Sequence, residues 1–410
     1  MKGQSFFRQL GWVFVATMVG ALCNSSVHFF ARLIKVEEWG LFTTFVQSFL
    51  PLLSIPALGL QTAFAHLSAS SVDPAQERDL SAAIRRVTVV LTGLWMVAVV
   101  FGCVFSAQLL QVYKLGSFQR LVILFGTVLG TLLLPVFSGV IQGRQDFFWF
   151  GWITILGGLG RLAGVAIMMA LFGATPTNAM VGVFIGQSAA VAVAVWRSRR
   201  IWSVDPGRFD LGKFIRRIAP LTIALGAITI LQTADMTAAQ QYLTEAENGL
   251  YGAAAVLARS VFYLSAPMIY VMFPRIVRDA TTSSKSSVLA QACGLSLLVC
   301  SMAAIAATLL PELPFRIVQG PAYLGAAAFL PNIAWSFLPL MLTTVLLNNL
   351  LARSCYRVIG PLVLVAGAYW VALRFFNDTP RHIIATLGTF ATAAFLVMIL
   401  FTWIESRKKS

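Results

Sequence analysis

Charge is scarce in this sequence. Only 11% of its 410 residues are Asp, Glu, Lys or Arg, where an ordinary globular domain carries roughly a quarter. A soluble chain of this length needs charged shells around about two cores, so that architecture is excluded. Acidic residues are the scarcest, 15 against 30 Lys and Arg. Histidine occurs three times (His28, His66 and His382), with no metal-ligand spacing. There is no Walker A sequence and no G-x-S-x-G. The five cysteines (Cys23, Cys103, Cys293, Cys300 and Cys355) form no C-x-x-C, and four lie in apolar runs. They read as small buried hydrophobes, which excludes a secreted disulfide scaffold. Long external loops are also missing, and a membrane-embedded polymerase or glycosyltransferase needs one to carry its catalytic groups.

Apolar residues are abundant instead, at 58%, with a mean hydropathy of +0.82. The N-terminal run could pass for a signal peptide, but it continues through Phe29 and Phe30, long enough to span a membrane, and reads as a first helix. A bilayer-crossing helix needs about 20 mostly apolar residues. Twelve such segments are predicted, at 9–32, 39–66, 82–108, 120–143, 148–172, 178–196, 216–242, 249–273, 288–310, 324–351, 358–376 and 382–404. Proline interrupts the second (Pro51, Pro56), the fourth (Pro135) and the tenth (Pro331, Pro339). Such breaks are tolerated where neighbouring helices re-satisfy the freed backbone groups.

With the N-terminus cytoplasmic, 21 of the 30 Lys and Arg fall on the cytoplasmic side and 7 on the other, while Arg161 and Arg259 remain inside spans. The bias sets both termini inside and accounts for the basic balance, together with attraction to anionic lipid. It gives no reason to invoke nucleic acid. The longest connection, Arg197 to Arg217, carries seven of these charges near the middle of the chain. The predicted organisation is a six-helix bundle over 1–200, a cytoplasmic linker over 201–214 and a second six-helix bundle over 215–410. A shift of 209 lays Glu38-Trp39-Gly40-Leu41-Phe42 on Glu247-Asn248-Gly249-Leu250-Tyr251, and Gly143-Arg144 on Ala352-Arg353. One offset at two distant places points to an ancient duplication. Six helices per repeat make the repeats parallel.

Polar residues inside the spans are more informative than any enzyme motif. Thr17, Asn24, His28 and Arg32 are spaced 7, 4 and 4, on one face of a continuous helix. Gln47, Ser54 and Gln61 repeat at seven in the second span, and Thr229, Gln232 and Asp235 mark the seventh. These stripes read either as interhelical hydrogen-bond glue or as the lining of a hydrated interior. Ionisable groups at depth are costly and usually functional. Arg161 has no evident carboxylate partner in any span and suits a cavity that receives an anion. Asp235 and Arg259 lie at nearly equal depth on consecutive antiparallel helices, so they either pair structurally or serve separately in ion coupling and substrate binding.

Glu247-Asn248-Gly249-Leu250-Tyr251 opens the eighth span and Phe273-Pro274-Arg275 closes it. On these residues and the twelve-helix plan, the sequence resembles the polysaccharide-exporting branch of the multidrug/oligosaccharidyl-lipid/polysaccharide superfamily, over essentially the whole chain. The resemblance implies an all-α polytopic membrane protein with a MATE-like fold. It implies a flippase that moves undecaprenyl-diphosphate-linked oligosaccharide repeat units across the bacterial inner membrane by alternating access, for O-antigen, capsule or exopolysaccharide synthesis. Members of the branch have a cationic cavity. Arg161 and Arg259 are the candidates for the pyrophosphate, with Arg32, His28, Asn24, Gln61 and Tyr263 as further substrate-binding residues and Asp235 as the ion-coupling residue. No catalytic residue, metal or cofactor is implied, and H⁺, Na⁺ or no coupling ion are all compatible. Implied partners are the lipid-linked oligosaccharide, membrane lipids, a polysaccharide polymerase and chain-length proteins. The alternatives are a drug/ion antiporter of the MATE type, another secondary transporter, or a membrane sugar polymerase. The first usually has an acidic residue in its first helix, where this chain has His28 and Arg32. A major-facilitator transporter would carry a Gly- and Arg-rich signature where this chain has Ser68-Ala69-Ser70-Ser71-Val72-Asp73-Pro74.

Overall fold

Where the chain enters several of its helices, the sequence supplies its own caps. Before Pro74–Val104, Gln76 accepts from the backbone N–H groups of Val72 and Asp73 at 2.8 and 3.3 Å. Thr175 accepts from Asn178 N–H ahead of Pro176–Trp202, and Asp210 from Lys213 N–H ahead of Leu211–Tyr242. Thr244 and Glu247 form a reciprocal capping box: Glu247 N–H donates to Thr244 Oγ1, and Thr244 N–H donates to the Glu247 carboxylate. Glu247, a repeat-motif residue, is therefore a helix-start device. The computed structural model describes residues 2–260, 287–353 and 355–407, and every regular element among them is helical.

Nine helices among the described residues are long and apolar enough to cross a membrane, ten if the bent pair Val36–Leu53 and Ile55–Ser70 forms one span. A shorter apolar helix covers Tyr356–Ala372, and a helix over 245–260 begins where the eighth span is expected. The remainder of that span, with Tyr263 and Phe273-Pro274-Arg275, lies outside the described residues. The chain is thus a multi-pass all-α membrane protein, and the expected twelve segments are represented by nine or ten clear spans, one short helix and one partly described helix. The bend of 53° in the second segment has a local cause. Pro56 lies in a 3₁₀ turn over Ile55–Ala57, and Gly59 follows with φ +81°, left-handed backbone that glycine adopts without a Cβ penalty.

The chain divides into two compact units, Met1–Phe30 with Phe49–Thr222, and Ala31–Ser48 with Ile223–Ser410. The expected boundaries differ from these in two respects. First, residues 31–48, from the first repeat, pack with the second. A Cβ on Gly40 would lie 2.3 Å from Asn248 Nδ2, one on Gly249 only 1.9 Å from the Val36 carbonyl, and one on Gly252 2.3 Å from Thr43 Oγ1. The two segments matched by the 209-residue offset therefore cross each other at backbone distance. Ser48 Oγ donates to Thr233 O at 2.6 Å, and Tyr323 OH donates to the carbonyls of Ala31 and Ile34. Second, residues 201–214 are built into the first unit rather than hanging between bundles. Ser81 and Arg85 donate to the carbonyls of Trp202 and Val204, Arg86 donates to Phe209 O, and Asp79 accepts from Arg208 N–H at 2.7 Å. At two of the three places where the chain passes from one unit to the other the helix is irregular, a 3₁₀ stretch at Val27–Leu33 and a π turn at Phe45–Phe49; the third lies two residues after Pro220, inside the α-helix Leu211–Tyr242.

In the first unit we label α1 (Lys2–Ser26), α2 (Leu60–Ser70), α3 (Pro74–Val104), α4 (Phe118–Gly143), α5 (Phe147–Phe172) and α6 (Pro176–Trp202). The α5 helix packs on α6 and α1, and α2 packs on α4. In the second unit, Leu330–Ala352 packs on Pro380–Arg407 and Ser287–Leu309.

Candidate functional site

Glycines set the surroundings of Arg161. Gly160 and Gly164 of α5 face Gly186 and Gly182 of α6, where an added Cβ on Gly182 would lie 2.4 Å from Val165 N. On the other side of α5, a Cβ on Gly158 would lie 2.0 Å from the Gly20 carbonyl of α1. Small residues let the helix backbones touch, and the polar side chains one turn away then come within hydrogen-bond reach. Arg161 Nη1 donates to Asn24 Oδ1 of α1 at 3.1 Å, and Nη2 donates to Gln187 Oε1 of α6 at 2.8 Å. Both acceptors are neutral amides, and together they orient the guanidinium. Gln187 is buried and Arg161 half-buried. Of the expected site residues, the structure brings Asn24 to Arg161, while His28 lies buried just beyond the end of α1. Gln61 belongs to a different contact: it donates to Gln142 Oε1 at 3.1 Å, across the α2–α4 seam where Gly139 and Gly143 pack on the α2 backbone. Gln187 had no motif to announce it. Its only signal in the sequence is a lone amide inside an apolar span.

The second unit holds the other ionisable pair. One Arg259 nitrogen, Nη2, donates to both Asp235 oxygens at 2.7 Å and to the Gln232 carbonyl at 3.0 Å. Tyr251 OH donates to Asp235 Oδ2 at 2.7 Å, and the guanidinium lies 5.1 Å from the Phe337 ring centre. Asp235 is 0% exposed and Arg259 3%. Of the two readings the sequence left open, the geometry shows the pair. The sequence placed Tyr251 only in the repeat motif; here it is the third member of the cluster.

Arg32 donates to a short helix of the second unit. Its Nε donates to Val318 O at 3.1 Å, and its Nη2 to the carbonyls of Arg316 and Ile317. A cation is thus seated on the C-terminal carbonyls of the short helix Leu313–Val318, where the helix dipole favours it. The expected stripe assumed continuous α-helix, in which four residues turn through about 40° net. Residues 27–33 are instead 3₁₀, where four residues leave about 120°, so Arg32 points elsewhere and packs with the second unit. Gln47 lies in a π turn and belongs to the second unit, whereas Ser54 and Gln61 belong to the first.

Fold and buried polar centres together define a multi-pass helical protein with the flippase and transporter fold. An inward closed lipid II flippase MurJ aligns over 97% of this chain and 87% of its own, at 13% identity and a TM-score of 0.72. An inward-facing multidrug resistance MATE family transporter of the MOP superfamily aligns over 97% and 98%, at 10% identity and 0.74. The MATE multidrug transporter DinF-BH aligns over 97% and 95%, at 10% and 0.65. The chain belongs to the polysaccharide biosynthesis protein family, whose model matches residues 8–279. No curated protein matches it by sequence. These three proteins of similar fold are a flippase and two transporters.

Proposed function

We propose that this chain is a flippase for undecaprenyl-diphosphate-linked oligosaccharide repeat units, acting by alternating access in the bacterial inner membrane with both termini cytoplasmic. Membership of the polysaccharide biosynthesis family and a fold shared with a lipid II flippase support the reading. The observation that carries it is Arg161, a guanidinium held by two neutral amides within a bundle of membrane spans. A planar fork donates two hydrogen bonds to one phosphate group, which a point-charge ammonium does not match. Capture of the pyrophosphate on the cytoplasmic side, followed by rearrangement of the two units, releases the sugar outside while the lipid tail stays in the bilayer. Arg259 and Asp235 serve as a structural pair in this scheme, and polymerase and chain-length proteins are the expected partners downstream.

In cells lacking this protein, the native chain is expected to restore export of the lipid-linked repeat unit. Arg161→Ala is expected to lower export by about 10- to 100-fold, the equivalent of one charge-assisted hydrogen-bonded contact, at unchanged membrane abundance. Arg161→Lys retains part of the activity. Normal export by Arg161→Ala would remove the pyrophosphate site. Resistance to cationic dyes without sugar export would instead establish a drug antiporter.

Topology has its own test. Cysteines placed at Lys213 and Glu247 are expected to react with impermeant reagents from opposite faces of the membrane. Labelling of both from one face would overturn the orientation.

A further inference from the structure

The segment from Trp196 to Arg217 presents six exposed cations: Arg199, Arg200, Arg208, Lys213, Arg216 and Arg217. Only two carboxylates share the segment, Asp205 and Asp210, and Asp210 is engaged as the cap of the following helix. Among the described residues none of the six cations takes part in an ion pair. A flexible loop would let such charges spread. This one is held in place by the side chains of Asp79, Ser81, Arg85 and Arg86, which bind four of its backbone positions between Trp202 and Phe209. Gly207 N–H donates to Arg78 O at 2.8 Å, and a Cβ there would lie 2.3 Å from Asp79 Oδ1, so the close approach requires glycine. Phe209 and Phe64 then close over Phe214, which is buried.

Aromatic and apolar side chains flank the cations. Trp196 is 48% exposed, Arg199 lies 5.4 Å from its ring centre, and Trp149 meets it edge-on at 5.5 Å. Ile215 is also exposed, between Lys213 and Arg216. Exposed indole next to guanidinium, at the ends of membrane-spanning helices, is the chemistry of the headgroup level: the ring sits among glycerol and acyl carbonyls and the cation among phosphates.

We propose that this pinned segment is a docking surface for anionic phospholipid, with Arg199, Arg200, Lys213, Arg216 and Arg217 taking headgroup phosphates and Trp196 and Ile215 seated at the acyl boundary. The occupant is lipid rather than a soluble anion because exposed apolar side chains, Trp196 and Ile215, lie beside the charges. The site is independent of the Arg161 centre and of what the protein carries.

The full-length protein in detergent is titrated with phosphatidylglycerol or phosphatidylcholine and bound lipid is counted by native mass spectrometry. The native chain is expected to retain phosphatidylglycerol in preference to phosphatidylcholine. The variant R199Q/R200Q/K213Q/R216Q/R217Q is expected to lose about tenfold or more in phosphatidylglycerol affinity, since each basic residue near an anionic surface contributes a part of that factor. All five positions are exposed, and elution as a monodisperse peak confirms that the variant folds. A second variant, Trp196→Ala, is expected to weaken phosphatidylglycerol binding with every charge in place. Equal retention of the two lipids by the native chain overturns the proposal, as does an unchanged preference in the quintuple variant. Displacement of the bound lipid by inorganic phosphate at equal concentration also overturns it, by reducing the site to a phosphate contact.

Discussion

Replacing Arg259 with Gln alone is expected to deplete the folded protein from the membrane. Asp235 is fully buried and both its oxygens accept from one guanidinium nitrogen. Among the described residues, removing the cation leaves the carboxylate with the Tyr251 OH and no ion-pair partner. Breaking a buried pair by removing one partner costs about 3–5 kcal/mol, a large share of the stability of a typical domain. Asp235→Asn is expected to be destabilising for the converse reason, an orphaned guanidinium against the Phe337 ring. The double variant Asp235→Asn/Arg259→Gln removes both charges, and replacing a whole buried pair is often close to neutral. Abundance and transport are therefore expected to recover in it. The measurement is membrane abundance and export for the two single variants and the double. A double variant that is abundant yet inactive would make Asp235 the seat of ion coupling and end the structural reading.

The second large effect comes from two adjacent glycines. A Cβ on Gly158 would lie 2.0 Å from the Gly20 carbonyl, while a Cβ on Gly157 would meet nothing within 4 Å. In a helix interior, Gly→Ala ordinarily stabilises by up to about 1 kcal/mol. Gly157→Ala is expected to show that gain or no change. Gly158→Ala must push α1 and α5 apart, and the clash is with backbone, which no rotamer change relieves. Overpacking of this kind costs about 1–3 kcal/mol. It also carries Asn24 away from Arg161, since Asn24 follows Gly20 by one turn and Arg161 follows Gly158 by nearly one. Thermal unfolding in detergent is expected to fall for Gly158→Ala and not for Gly157→Ala, with export lost in parallel. Equal behaviour of the two variants would show that α1 and α5 separate freely.

Part of the Arg161 centre was legible before the fold was known. An arginine within an apolar run is conspicuous, and Asn24 was visible as a polar group on the first helix. Gln187 was not, because an isolated amide among apolar residues looks the same whether it meets a guanidinium or a backbone carbonyl. The Asp235–Arg259 pair followed from depth arithmetic along two antiparallel helices, which needs only a constant rise per residue. The place of Arg32 on the first-helix stripe was not legible, for a related reason. Its assignment depended on a constant angle per residue, and the 3₁₀ segment altered that angle.

The sequence by itself determined the membrane class, most of the helical segments and the charged groups at depth. These are properties each segment has alone, since a bilayer admits or rejects every stretch of about 20 residues on its own composition. Only the tertiary structure decided that residues 31–48 pack with the opposite repeat and that 201–214 is clamped onto Pro74–Val104. Both depend on contacts between residues far apart in sequence, such as Gly40 against Asn248 and Asp79 against Arg208. Backbone approach at a glycine is a property of two surfaces, and neither surface records it alone.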